Sequence, residues 1–98
     1  TTPAFDRDFK RLAGQHQTKF RTLIPDFNAA AERAAAGVDN PWPKSMRVKP
    51  VMNAPGVWEL TWSMHDPDGR ATWEWVRIQG HAAIRWRRIG DHRVLDKT

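Results

Sequence analysis

The stretch Val57-Trp-Glu-Leu-Thr-Trp-Ser-Met64 alternates apolar and polar residues, and this alternation decides the fold class. A period of two residues is typical of a β-strand with one covered face. The large apolar side chains of Trp58, Leu60 and Trp62 fall on one face, and Glu59 falls on the other. We therefore expect a sheet that buries tryptophan on one side and carries polar residues on its opposite, open side.

Two later segments, residues 70–78 and 82–89, repeat this alternation. The pair Gln79-Gly80 between them is typical of a tight hairpin turn, and residues 65–69 (His-Asp-Pro-Asp-Gly) form a longer hairpin loop before them. Residues 46–52 predict a short additional strand at an edge. The second half of the chain therefore predicts a meandering antiparallel sheet.

The first half of the chain has a helical period instead. Over residues 3–37, apolar residues recur at spacings of three and four. Gly14 and Gly37 stand where a first and a second helix would end, and Pro25 is expected to kink or split the second helix. The fold class is thus α+β, with an N-terminal helical hairpin packed on one face of a small antiparallel sheet, in a single domain spanning residues 1–98.

Charge and composition restrict the partners. The chain has 98 residues, with 16 Lys and Arg against 11 Asp and Glu, and its net charge of +5 favours an anionic partner such as nucleic acid or an acidic protein. Cysteine is absent, which excludes a disulfide framework and a thiolate nucleophile. No apolar run approaches the roughly 20 residues of a membrane span, and no signal-peptide pattern opens the sequence, so we expect a cytoplasmic protein without membrane association.

The predicted open face carries the residues with the most chemistry. Arg70 and two carboxylates lie there on adjacent strands, with Lys49 before them and His92 after them. Arginine binds phosphate through two parallel hydrogen bonds, and a nearby carboxylate, lysine or histidine can transfer a proton. The same residues also fit a solvated sheet face with ordinary cross-strand ion pairs. None of the four histidines has the spacing of a metal-binding pair, so we expect neither a metal nor a cofactor.

The order of these elements resembles the RelE/ParE superfamily of bacterial toxins, the toxin components of type II toxin–antitoxin systems. The resemblance rests on a helical hairpin followed by four segments: Met46-Arg-Val-Lys49, Gly56-Val-Trp-Glu-Leu60, Gly69-Arg70 at a strand start, and Ile89-Gly-Asp-His92. It covers nearly the whole chain. It implies a RelE-like fold and one of two activities: cleavage of mRNA on the ribosome without a metal ion, or binding and poisoning of DNA gyrase.

For the nuclease branch, the resemblance implies a role for each matching residue. Arg70 would stabilise the transition state, His92 would act as the acid, and Glu59 or Lys49 would act as the base. Arg47, Arg85 and Arg87 would bind RNA phosphates, and the basic run Arg85-Trp-Arg-Arg88 itself adds Arg88 to this set. The implied partners are a cognate antitoxin, in a possible hetero-oligomer, and mRNA on the ribosome. The chain has no tyrosine, whereas several nuclease members carry one near the C-terminus.

Two alternatives to an mRNA endoribonuclease stay open. One is a ParE-like module that poisons gyrase by contact alone. The other is a basic RNA-binding relative without catalysis, in which Glu59, Glu74, Arg70 and Arg85 would pair with each other in an ion-pair network.

Overall fold

A computed structural model describes residues 1–64 and 68–97, apart from the side chains of His92 and Lys97. Two helices precede a four-stranded sheet, and two short 3₁₀ helices flank the sheet in sequence. The helices are α1 (Pro3–Arg11) and α2 (Gly14–Ala35), the 3₁₀ helices are Lys44–Met46 and His92–Lys97, and the strands are β1 (Lys49–Pro50), β2 (Val57–Ser63), β3 (Gly69–Ile78) and β4 (His81–Asp91). The α+β fold with an N-terminal helical hairpin on an antiparallel sheet is confirmed.

The sheet is a meander in which each strand pairs with the next in antiparallel fashion, in the order β1-β2-β3-β4. Trp58 is paired with Trp73, and Trp73 with Trp86, so the three indoles share one face of the sheet. Directly paired residues project to the same side of an antiparallel sheet. We call this side the tryptophan face, and the opposite side, which carries Glu59 and Arg70, the polar face.

The hydrophobic core lies between the helices and the tryptophan face. Phe27 of α2 is fully buried and packs edge-to-face on Trp73, while Phe5 of α1 contacts Phe20 and Trp86. Such tilted and edge-to-face aromatic pairs stabilise a fold by more than the burial of their surface area alone. The helical hairpin therefore covers the face that the alternating pattern predicted.

The helix boundaries differ from the prediction at two residues. The first helix ends at Arg11, and Gly14 opens α2 rather than closing α1. Pro25 lies inside a single continuous helix and does not split it. Proline removes only one backbone hydrogen bond, and the buried Phe20 and Phe27 on either side of it anchor both halves of α2 to the same core.

The polar face is partly covered, whereas the alternating pattern predicted that it would be open. Glu59, Thr61 and Thr72 on this side are all buried. The C-terminal 3₁₀ helix packs over β3 and β4, and a Cβ added to Gly90 would lie 2.9 Å from Cγ1 of the buried Val94. A short C-terminal segment thus covers part of a face that the sequence pattern assigned to solvent.

The edges of the sheet also depart from the pattern. The predicted strand over residues 46–52 is reduced to the two residues of β1, because Met46 ends a 3₁₀ helix and is buried in the core. In β4 the register shifts so that Arg88 pairs with Thr72 and Trp86 with Trp73, which leaves Arg87 as the extra residue of a β-bulge. Thr2 binds this edge, because its Oγ1 donates a hydrogen bond to the Arg87 carbonyl at 2.7 Å.

The predicted hairpin loop over residues 65–69 falls largely on residues 65–67, which lie outside the described residues. Within residues 1–64 and 68–97, no helix combines the length and the apolar character needed to cross a membrane.

Candidate functional site

Arg70 lies on the polar face at the start of β3 and contacts two carboxylates. Its Nη1 donates a hydrogen bond to Oε1 of Glu59 at 2.7 Å, and its Nη2 donates one to Oδ2 of Asp68 at 3.2 Å. The side chain of Glu59 is only 4% exposed and that of Arg70 13%, whereas that of Asp68 is 38% exposed. The structure therefore brings two of the predicted site residues together as a buried ion pair and adds Asp68, which the sequence analysis did not select.

One nitrogen of the Arg70 guanidinium makes no hydrogen bond within this site. Its Nε is buried and has no hydrogen-bond partner among the described residues. The hydroxyls of Thr61 and Thr72, on the same face, are buried and unpartnered within the same part of the chain. Buried polar groups are nearly always hydrogen-bonded in folded proteins. These three atoms therefore show that the polar face has more hydrogen-bonding groups than its own contacts satisfy.

Lys49 and His92 lie near opposite edges of the sheet, Lys49 on β1 and His92 directly after β4. Lys49 is exposed on β1, and its Cα is paired with that of Glu59. Gly90 is paired with Arg70, and the chain reaches His92 two residues later, at the start of the C-terminal 3₁₀ helix. The backbone thus places both predicted residues next to the Arg70–Glu59 pair, while the side chain of His92 lies outside the described residues.

A second ion-pair group lies further along the polar face, around Glu74. Its Oε2 accepts hydrogen bonds from Arg85 Nε at 3.1 Å and from Arg87 Nη1 at 2.6 Å. Both arginines remain partly exposed, at 49% and 30% of their side-chain surface. Two of the predicted phosphate-binding arginines are therefore held side by side by one carboxylate, and the group carries a net positive charge.

The pKa of Glu74 reflects this arrangement. Burial on its own would raise the pKa of the carboxyl, but the hydrogen bonds and charges of Arg85 and Arg87 outweigh burial and hold the pKa below its ordinary value. Because the folded pKa is depressed, Glu74 contributes stability that is present above the ordinary pKa of glutamate and lost as the pH falls through the folded value.

A pH titration of stability checks this sign. We expect Glu74→Gln to lower the free energy of unfolding by about 0.5–1.5 kcal/mol at pH 7. The deficit should shrink as the pH falls below about 4.3, the ordinary pKa of glutamate. Urea unfolding of the wild type and the variant at a series of pH values measures it. A deficit that stays constant down to pH 3 would show that the charge of Glu74 is not what matters.

The other two predicted phosphate-binding residues lie elsewhere. Arg88 binds Asp8 of α1 through Nε at 2.6 Å and Nη2 at 3.0 Å, and this contact raises the pKa of Arg88 above its ordinary value. Arg47 is exposed at the end of the first 3₁₀ helix, with a left-handed backbone at φ 47°. The structure thus brings Arg85 and Arg87 together and turns Arg88 towards the helical hairpin.

The tryptophan face also leaves a groove beside the helix. A cleft of about 670 Å³ lies between the C-terminal half of α2 and the β3–β4 hairpin, and Trp75, Ile84 and Trp86 line its apolar part. Small residues on the helix side, Ala31 and Ala35, leave this space open.

Within the described part of the chain, no group of three or more histidine, aspartate or glutamate residues is arranged to hold a metal ion.

Comparison with known proteins does not identify the chain. No family model, no curated protein and no solved structure matches it.

Two acidic residues that pair with arginines in this structure, Asp68 and Asp8, are hardly predictable from the sequence. Asp68 stands two residues before Arg70, within a loop that reads as an ordinary turn. Asp8 meets Arg88 across 80 residues of chain, and nothing in a helical period predicts so distant a partner. The spacing of Asp68 and Arg70 by two residues, at the start of a strand, is the one signal that points to such a contact, because residues i and i+2 share a face.

Proposed function

We propose that this protein is an RNA-cleaving toxin of the RelE-like kind, acting on mRNA at the ribosome without a metal ion. The observation that supports this most is the placement of Arg70, whose guanidinium is fixed by Glu59 on a sheet face that also carries Lys49, Arg85 and Arg87. A fixed arginine among exposed cations is suited to an RNA backbone, because charge attracts the phosphates and the arginine positions one of them.

The proposed reaction needs few groups. The ribose 2′-oxygen attacks the adjacent phosphorus, a bond to the 5′-oxygen breaks, and a cyclic 2′,3′-phosphate remains on one fragment. A base removes the 2′-hydroxyl proton, an acid protonates the leaving 5′-oxygen, and a cation stabilises the charge on the phosphate oxygens. In this proposal Arg70 supplies the positive charge and His92 the proton for the leaving group.

The contacts favour Lys49 over Glu59 for the remaining role. Glu59 is buried and its Oε1 accepts a hydrogen bond from Arg70, so it is a positioning residue that sets the direction of the guanidinium. Lys49 is exposed beside it and stays the candidate base of the predicted pair. Arg85 and Arg87 would then bind phosphates further along the strand, by exchanging part of their contact with Glu74.

Controlled expression in bacteria tests the proposal. The 5′ ends of cellular messages are mapped after a short induction, and DNA damage is monitored in the same cultures. The proposal predicts new 5′ ends inside coding regions, dependent on translation, without DNA breaks. Growth arrest with intact messages and broken DNA would instead support gyrase poisoning.

A non-catalytic binding function is the second candidate, and two observations favour it. Glu59 pairs with Arg70 and Glu74 with Arg85, so the four residues of the network expected of a relative without catalysis form two separate ion pairs. The groove between α2 and the β3–β4 hairpin has an apolar part, formed by Trp75, Ile84 and Trp86, that a protein partner can cover. In that case Trp75→Ala would abolish the effect on growth, whereas changes at Arg70 that preserve the fold would leave it intact.

A further inference from the structure

The two carboxylates that contact Arg70, those of Glu59 and Asp68, bind different nitrogens of its guanidinium and at different distances. Nη2 lies on the same edge of the guanidinium as the Nε–H, and this edge is the one that binds two oxygens of a phosphate or carboxylate side by side. Asp68 accepts only from Nη2, at 3.2 Å, and leaves Nε without a partner among the described residues. Glu59 binds the other nitrogen, Nη1, at the shorter distance of 2.7 Å.

The two contacts also differ in how firmly they are held. Glu59 lies in the middle of β2 with 4% of its side chain exposed, so its carboxylate stays with Arg70 as long as the sheet is formed. Asp68 precedes β3, and 38% of its side chain is exposed. A surface carboxylate with one long hydrogen bond gains little from its partner and exchanges readily with solvent. The contact that can be replaced is therefore that of Asp68, on the edge formed by Nη2 and Nε, of which only Nη2 has a partner among the described residues.

We propose that Asp68 occupies the binding position of a phosphodiester group and that an RNA phosphate displaces it from Arg70. This inference rests on the proposed function, since it names the ligand of the same arginine. A phosphodiester has two unesterified oxygens, which match Nη2 and Nε together. The exchange replaces a single hydrogen bond by a bidentate pair and gives the buried Nε–H an acceptor.

The arrangement makes Asp68 an internal competitor of the substrate. While Asp68 is bound, the carboxylates of Glu59 and Asp68 outweigh the single positive charge of Arg70, and anions are not attracted to it. Loss of the Asp68 charge leaves Arg70 balanced by Glu59 alone and frees the edge that binds phosphate. Removal of the Asp68 carboxylate should therefore strengthen the binding of a phosphodiester to Arg70. Removal of an exposed acid elsewhere should strengthen it only through the loss of one negative charge from the protein.

The Nε–H resonance of Arg70 reports this exchange directly. In protein labelled with ¹⁵N-arginine, the resonance is assigned as the one that disappears in Arg70→Lys, and it is followed while dimethyl phosphate is added at constant ionic strength. We expect Asp68→Asn to bind this diester on the order of tenfold more tightly than the wild type. Asp39→Asn is the matched control, because it makes the same charge change at an exposed residue in the connection after α2.

Each outcome of this titration decides the inference. A shift of the Arg70 Nε–H resonance that saturates at lower diester concentration in Asp68→Asn than in Asp39→Asn supports it. Equal binding by the two variants, an unmoved resonance, or a response to inorganic phosphate but not to dimethyl phosphate would overturn it. The titration involves no cleavage, so tight diester binding in a protein that leaves messages intact would contradict the proposed function alone. Arg70-dependent cleavage with no effect of Asp68→Asn on binding would contradict this inference alone.

Discussion

Replacement of Arg70 by alanine should both destabilise the protein and abolish its activity. The variant leaves the carboxylate of Glu59 buried without its partner, and such an unpaired buried charge typically costs about 3–5 kcal/mol. This differs from the expectation for an exposed arginine at the rim of an open face, for which truncation would be nearly neutral. Loss of the cation at the reacting phosphate should also lower the cleavage rate by about 10²–10³-fold.

A second substitution separates these two effects. In the double variant Glu59→Gln/Arg70→Ala the buried side chain is neutral, so most of the lost stability should return. Cleavage should stay low, because the cation is still missing. Urea unfolding and cleavage of a ribosome-bound message, measured on both variants, check the two effects. Recovery of activity together with stability would mean that Arg70 serves only the fold.

Replacement of Trp73 by alanine should have the largest effect on stability of any core substitution. Trp73 is fully buried, stacks on Trp58 at 5.6 Å between ring centroids, and packs edge-to-face on Phe27. Truncation of such a buried aromatic costs about 3–5 kcal/mol. Since small domains have roughly 5–15 kcal/mol of stability in total, much of this variant should be unfolded at 37 °C.

Circular dichroism during thermal unfolding measures this loss. Trp73→Phe should cost less, because it keeps a ring in the cluster and removes the indole Nε1–H, which has no partner among the described residues. Ile78→Ala is the control, because Ile78 is 60% exposed near the end of β3 and its truncation should change stability little. A Trp73→Ala protein as stable as the wild type would contradict the described packing of the two layers.

The sequence predicts the sheet well because its strands obey a simple period. Trp58 and Trp73 fall on the buried face as the alternation requires, and the turn at Gln79-Gly80 has the positive φ angles of a tight hairpin. Strict alternation does not hold where a local irregularity changes the phase of the strand. The β-bulge at Arg87 shifts the pattern by one residue, so that Ile89 rather than Arg88 returns to the core. No propensity rule locates such a bulge in a run of alternating residues.

The candidate site is predicted less completely, for a physical reason. Alternation correctly places Glu59 and Arg70 on one face, and it leaves open what covers that face. Glu59 is buried against Arg70, and the C-terminal segment with Val94 packs back over the neighbouring strands β3 and β4, a contact between parts of the chain that no local pattern predicts. Whether Glu59 is exposed or buried decides its role. An exposed glutamate can act as a base, whereas a buried glutamate bound to arginine holds that arginine in position.

The central claim is that the fixed, forked guanidinium of Arg70 promotes RNA cleavage. Arg70→Lys tests it most directly, because lysine keeps the positive charge beside Glu59 and removes the two-pronged contact with phosphate. The measurement is the rate at which purified protein cleaves a ribosome-bound message, with Arg77→Lys, far along β3 at the hairpin, as the matched control. We expect Arg70→Lys to remain folded and to cleave about 10–10²-fold more slowly, and Arg77→Lys to cleave at the wild-type rate. Cleavage by Arg70→Lys at the wild-type rate, or no cleavage by the wild type itself, would contradict the account.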